Sequence, residues 1–159
     1  MTSSFFSYNK SKVLQALRFH FITRKEIKIM VILVNLFAIV SLVLFYLNKV
    51  TAYAFLGSSL LWFSLMISFW FILPNVIYRK SATFKDKLRV RLDPNQLYIE
   101  NDNGNKTWPW REFSAVMESN YFFHLYFDAR SFFIIPKDAF PKEDLKDIRK
   151  FLKEKIKRK

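Results

Sequence analysis

IMVILVNLFAIVSLVLFYL, residues 29–47, is nineteen residues long and carries no charge. As a helix it would extend roughly 28 Å, which matches a bilayer hydrocarbon core of about 30 Å. A second uncharged run covers 50–78. At roughly 43 Å as one helix it must tilt, project past the membrane, or end early near Pro74. Its spanning part is placed at about 52–73. Two such runs separated by a short turn point to a transmembrane hairpin rather than to a pair of buried helices in a soluble bundle. Tyr46, Tyr53, Trp70 and Tyr78 fall near the expected interfaces, where amphipathic rings are favoured.

Basic residues orient the hairpin. Lys10, Lys12, Arg18, Arg24, Lys25 and Lys28 precede it, Arg79, Lys80, Lys85, Lys87, Arg89 and Arg91 follow it, and Lys49 sits in the turn. The positive-inside rule therefore expects both termini in the cytoplasm. No signal peptide is expected, because the basic stretch is long and no small-residue cleavage site follows the first apolar run. Neither span contains an Asp, Glu, Lys, Arg or His, so an ion or proton route through the hairpin is not expected. Asn35 and the serines of the spans read as helix-contact residues, and Gly57-Ser58-Ser59 offers a small-residue patch through which the hairpin could form a homo-oligomer.

The flanks divide the chain into 1–28, 29–78 and 79–159. Before the hairpin, Val13, Leu14, Leu17 and Phe21 recur at helical spacing opposite Lys12, Gln15 and Arg18. Such an amphipathic helix fits either the membrane surface or a face of the cytoplasmic domain, to which Ser3 to Tyr8 could add a strand. After the hairpin the period changes to two. Leu88, Val90 and Leu92 alternate with Arg89 and Arg91, 96–100 continues in the same manner, and the Asn-Gly step within 101–105 signals a β-hairpin. Further strands are expected at 106–110, 114–118, 121–128 and 131–135. A C-terminal helix is expected over 141–157, with Leu145, Ile148, Leu152 and Ile156 as its apolar stripe and Lys153, Lys155, Lys157, Arg158 and Lys159 as a basic end. The fold class is thus an α+β membrane protein: an N-terminal amphipathic helix, a transmembrane hairpin, then a small antiparallel β-meander of five or six strands with a C-terminal helix. That order of elements resembles the pleckstrin-homology-like architecture.

Several sequence features also resemble the YcxB-like membrane-protein family, in which two transmembrane helices precede a small C-terminal domain. These are the paired spans, Trp110-Arg111-Glu112-Phe113 leading into SAVMES, the strand FFHLYFD, and IIPKDAF at 134–140. The resemblance extends over nearly the whole chain and implies a bacterial cytoplasmic membrane location. It departs from the family at Trp110, where a Tyr is expected. It implies architecture and no mechanism, so it carries over no functional residues.

The chain has no Cys and only His20 and His124, about a hundred residues apart, so neither a thiol nucleophile nor a metal-ligand pair is expected. Both histidines read as packing or surface residues. Asp86, Asp93, Glu100 and Asp102 flank turns and strand ends, where solvated carboxylates are routine. Gly57 and Gly104 are the only glycines, which leaves no phosphate loop. No enzyme and no cofactor is expected. A formal charge of +13 favours an anionic partner. Nucleic acid is the less favoured one, because so much of the charge lies beside the spans. The sequence reading is a membrane-anchored interaction module for another membrane or cytoplasmic protein. Its alternative is a sensor of anionic lipid headgroups, with Arg24, Lys25, Lys28, Arg79, Lys80, Lys85 and Lys87 at the membrane surface.

Overall fold

A computed structural model describes residues 1–102 and 104–156. The chain forms two units, one of 1–16 together with 81–159 and the other of 17–80.

The first unit is α+β. Strand β1 (Phe6–Ser7) lies before helix α1 (Lys10–Thr23), whose residues through Ala16 belong to this unit. Among the described residues six strands follow the helical segment: β2 (Lys87–Leu92), β3 (Gln96–Asn101), β4 (Gly104–Pro109), β5 (Ala115–Glu118), β6 (Phe122–Tyr126) and β7 (Phe132–Pro136). Instead of the expected single meander they form two antiparallel sheets, ordered β1-β2-β3-β4 and β5-β6-β7. The division falls at Trp110–Glu112, a 3₁₀ turn that follows Pro109, a residue unable to donate to a ladder. The β3–β4 hairpin closes on the pair Asn101 and Gly104. Gly104 has φ +145°, a region open mainly to glycine.

Alternation decides burial in β2, where Leu88, Val90 and Leu92 face inward and Lys87, Arg89 and Arg91 face solvent. Strand β6 is buried at all five positions, as the central strand of its sheet. Phe113 stacks on Phe127 with ring centroids 4.6 Å apart, and Trp108 meets Phe127 edge-on at 5.1 Å and Phe133 at 5.5 Å, which joins the two sheets. Helix α5 (Leu145–Lys155) buries Ile148 and Leu152, and Ile156 follows them inside, as the stripe anticipates. It starts later than expected because 141–144 form a turn that precedes it, in which the Asp144 amide donates to the Pro141 carbonyl. The expected basic end at Lys157, Arg158 and Lys159 lies outside the described residues.

The N-terminal segment is built into this unit. Phe6 pairs with Leu88 and Ser7 with Lys87, and Thr2 forms a bridge to Arg91. The Ser3 amide donates to the Val90 carbonyl at 2.8 Å, while the Ser3 hydroxyl accepts from the Val90 amide at 2.9 Å. The Ser4 amide and hydroxyl both donate to the Ala139 carbonyl. Tyr8 donates its hydroxyl proton to the Ile134 carbonyl at 2.7 Å, and burial pushes that phenol's pKa far up. Val13 and Ala16 of α1 are buried.

The second unit is helical. Helix α2 (Lys25–Tyr46) is followed by α3 (Ala52–Ile67), a π-helical turn (Ser68–Ile72) and α4 (Leu73–Lys80). Two stretches, Lys25–Tyr46 and Ala52–Lys80, are long and apolar enough to cross a membrane, at 22 and 29 residues. No side chain of α2 or α3 is buried. The turn between them is a Schellman motif. Asn48 takes φ 52°, its amide donates to Phe45, and the Lys49 amide donates to Leu44. Thr51 then caps α3, its hydroxyl accepting from the Ala54 amide. The helices are antiparallel: Phe45 stacks on Phe55 at 4.5 Å, the Ser41 and Ser58 hydroxyls share a 2.6 Å hydrogen bond, and Trp62 Nε1 donates to Asn35 Oδ1.

The second helix does not end at Pro74. A proline in a helix leaves the carbonyl four residues back without its donor, here that of Trp70. The chain absorbs this by widening to π geometry just before the proline, the Leu73 amide reaching back to the Ser68 carbonyl.

Candidate functional site: the basic end of the helical hairpin

Because α2 and α3–α4 run antiparallel, the start of α2 and the end of α4 lie at one end of the second unit. Arg24, Lys25 and Lys28 are at the first, Arg79 and Lys80 at the second. Arg24 has extended backbone between α1 and α2, its amide donating to Phe21 and its carbonyl accepting from the Lys28 amide. Its guanidinium is 3.8 Å from the Glu26 carboxylate. Lys25, Lys28, Arg79 and Lys80 are exposed. The remaining two sequence-derived candidates belong to the first unit. Lys85 is exposed in a turn closed by its amide on the Ala82 carbonyl. Lys87 extends over the Phe5 ring at 5.7 Å, beside Arg89 at 5.4 Å.

Sequence reasoning missed the best-held cation of this end. Arg18 Nε donates to the Trp70 carbonyl at 3.0 Å, four residues before Pro74. Its guanidinium carbon is 5.5 Å from the Trp70 ring and 5.7 Å from the Phe71 ring. Asn75 Nδ2 satisfies the next carbonyl, that of Phe71, at 2.8 Å. Arg18 also lines a cleft of about 400 Å³ with Phe21, Ile22, Ile27, Val31 and residues 66–67 and 69–71, and among the described residues it is the one charged residue there. The only signal in the sequence was a proline in an otherwise helical run; the partner fifty-two residues away left no local trace.

Glu118 accepts two hydrogen bonds from Arg149, at 2.6 and 2.8 Å, and an ion pair from Lys137 at 2.6 Å, tying β5 to α5 and to the 3₁₀ turn Lys137–Ala139. The Arg149 hydrogen bond, then Lys137, hold its pKa at about 2 from an ordinary 4.5. The depressed value means that this contribution is complete above pH 4.5 and is lost as pH falls toward 2. Glu118→Gln is expected to cost about 1–2 kcal/mol at pH 7 after solvent screening and to flatten the acid limb of thermal stability between pH 4.5 and 2. Melting curves across that range test it; an acid limb unchanged from the parent would refute it.

His124 is fully buried, with Nε2 2.8 Å from the Ser119 hydroxyl. His20 is buried too; desolvation first, then the Arg24 charge, lowers its pKa to about 4, so it is neutral at pH 7. Among the described residues no group of three His, Cys, Asp or Glu is arranged to hold a metal. Trp110 is buried, donates Nε1–H to the Asp93 carbonyl at 2.9 Å and meets Phe151 edge-on at 5.5 Å. In IIPKDAF, Lys137 holds Glu118, the Ala139 carbonyl receives Ser4, and Phe140 is buried. These motif residues hold the fold together.

Residues 92–152 match the model of the YcxB-like protein family. The match lies wholly within the first unit and begins after β1, α1, the helical hairpin and most of β2. No curated protein and no solved structure matches the chain.

Proposed function

We propose, from the premise that residues 92–152 are a YcxB-like domain, that the protein is a membrane-anchored interaction module without catalytic activity. Its two long helices span the cytoplasmic membrane as a hairpin, both termini lie in the cytoplasm, and the α+β unit binds another protein at the membrane face. The observation that carries this reading is the interruption of one folded unit by another. Residues 1–16 and 81–159 share two sheets and a core, and between them the chain makes two long helices with no buried side chain in α2 or α3. Parts of one domain must share one side of a membrane, and two crossings return the chain to that side. The exposed cations Lys25, Lys28, Arg79 and Lys80 at one end of the hairpin favour the cytoplasmic side. Two antiparallel sheets closed by a C-terminal helix follow the order of a pleckstrin-homology-like domain, and we read the unit as one.

The surface best suited to a partner is strand β4. Among the described residues it pairs only with β3, and Gly104 to Thr107 are exposed, so its outer backbone groups can accept an added strand. A photo-cross-linking residue at Thr107, activated in native membranes and followed by purification of the full chain and mass spectrometry, tests this. A near-stoichiometric foreign protein attached at that position is the expected result. Self-links alone would overturn the adaptor reading and leave a homo-oligomer.

A further inference from the structure

We infer that the cleft beside Arg18 holds one acyl chain of an anionic phospholipid whose phosphate is bound by the Arg18 guanidinium, an inference that rests on the membrane reading above. The cleft is formed by the last turns of α1, the start of α2, the end of α3 and the π-helical turn, all within the second unit. Its volume of about 400 Å³ lies in the roughly 300–1,000 Å³ range of small-ligand sites. Every lining residue other than Arg18 is apolar, and Ile22, Ile67, Trp70 and Phe71 are each about half exposed at its mouth.

Apolar lining alone selects nothing in a bilayer, since lipid tails are as apolar as the cleft. Selectivity has to come from the single charge, and the backbone holds that charge in place. An arginine has five N–H donors. Nε–H is taken by the Trp70 carbonyl, while the terminal nitrogens make no hydrogen bond among the described residues. The guanidinium fork is therefore fixed at its stem and open at its tip, an arrangement that suits a phosphate better than a mobile lysine would. Trp70 and Phe71 lie beside it, as interfacial aromatic residues do at headgroup depth. The charge complementarity commits the site to an anionic lipid, and the apolar lining commits it to one inserted by its tail rather than to a soluble phosphate.

The test uses the full chain, extracted from membranes in mild detergent and equilibrated with equal amounts of dioleoylphosphatidylglycerol and dioleoylphosphatidylcholine before native mass spectrometry. One retained phospholipid is expected, with the anionic phosphatidylglycerol favoured over phosphatidylcholine about fivefold, the size of one basic residue's attraction near a membrane surface. Arg18→Gln should bring the two lipids to parity. Val31→Phe, which fills the cleft without touching the Arg18–Trp70 bond, should lower retention of both lipids at unchanged helical circular dichroism. Equal retention of the two lipids by the parent chain, or full retention by Val31→Phe, would overturn the inference. Carbonate extraction separates this from its premise: release of the chain by carbonate overturns the membrane reading itself, whereas a carbonate-resistant chain indifferent to lipid charge overturns only the lipid site.

Discussion

Deleting residues 1–9 is expected to unfold the first unit, including the stretch 92–152 that matches the YcxB-like family model, although the deleted segment is more than eighty residues away from that stretch in sequence. The segment contributes β1 to the first sheet and places Phe6 and Tyr8 in the core, each 8% exposed. Removing large aromatic side chains from a core costs about 3–5 kcal/mol each. The deletion also leaves the Val90 amide, which bonds the Ser3 hydroxyl in a buried setting, and the Ile134 carbonyl, which bonds Tyr8, without partners. Each buried group so orphaned costs about 1–3 kcal/mol. The total reaches or exceeds the roughly 5–15 kcal/mol by which whole domains are stable. Limited proteolysis of the full chain and of the deletion variant, probed for cleavage between 81 and 156, measures the effect. Comparable protection in the two chains would show that the domain stands without β1. Tyr8→Phe, which keeps the ring and removes only the hydroxyl, should cost far less, and so separates the packing loss from the hydrogen-bond loss.

The contribution of residues 1–16 was only half legible. Helical spacing placed α1, and Val13 and Leu17 are indeed fully buried, but periodicity cannot say what a face packs against. Strand β1 is two residues long, too short to show alternation. What decided its place was long-range pairing with β2, and no pattern within 1–8 encodes that register. The later strands were easier, because β2 alternates over six residues and the Asn-Gly step marks the hairpin after β3. Their division into two sheets at Pro109 and Trp110 was not legible, since a proline read from sequence marks a strand's end without saying that the next strand changes sheet.

The candidate site shows the same division between local and distant causes. Runs of Lys and Arg beside apolar helices are visible in any reading, and Lys25, Lys28, Arg79 and Lys80 are exposed as such residues should be. Arg18 looked like one more cation on the polar side of α1. Its distinction is the bond to the Trp70 carbonyl, in the π-helical turn just before Pro74, and that contact depends on a partner fifty-two residues away. Glu118 was invisible for a similar reason: a lone acid at a strand end is routine, and only the fold brings Lys137 and Arg149 to it.

A double substitution, Leu36→Lys with Leu61→Lys, is expected to drive the chain out of the membrane, and it discriminates between the two environments these helices could occupy. Leu36 and Leu61 are both 54% exposed, near the middles of the two long apolar helices. In water, lysine at such positions would be neutral or helpful, because an exposed leucine gains nothing from burial and lysine is as good a helix former. In hydrocarbon, each substitution replaces a residue that favours insertion with one that opposes it, a swing of about 3 kcal/mol per site on the insertion scale. Two sites together shift the insertion equilibrium by about 6 kcal/mol, enough to outweigh the snorkelling that softens a single mid-span lysine. The fraction of chain resisting carbonate extraction is the measurement. A large loss relative to the parent is the expected result, with a Leu36→Gln and Leu61→Gln pair falling between the two. A doubly substituted chain that partitions as the parent does, or that simply becomes more soluble while its melting temperature holds, would mean that the apolar faces of α2 and α3 meet protein or water instead of lipid.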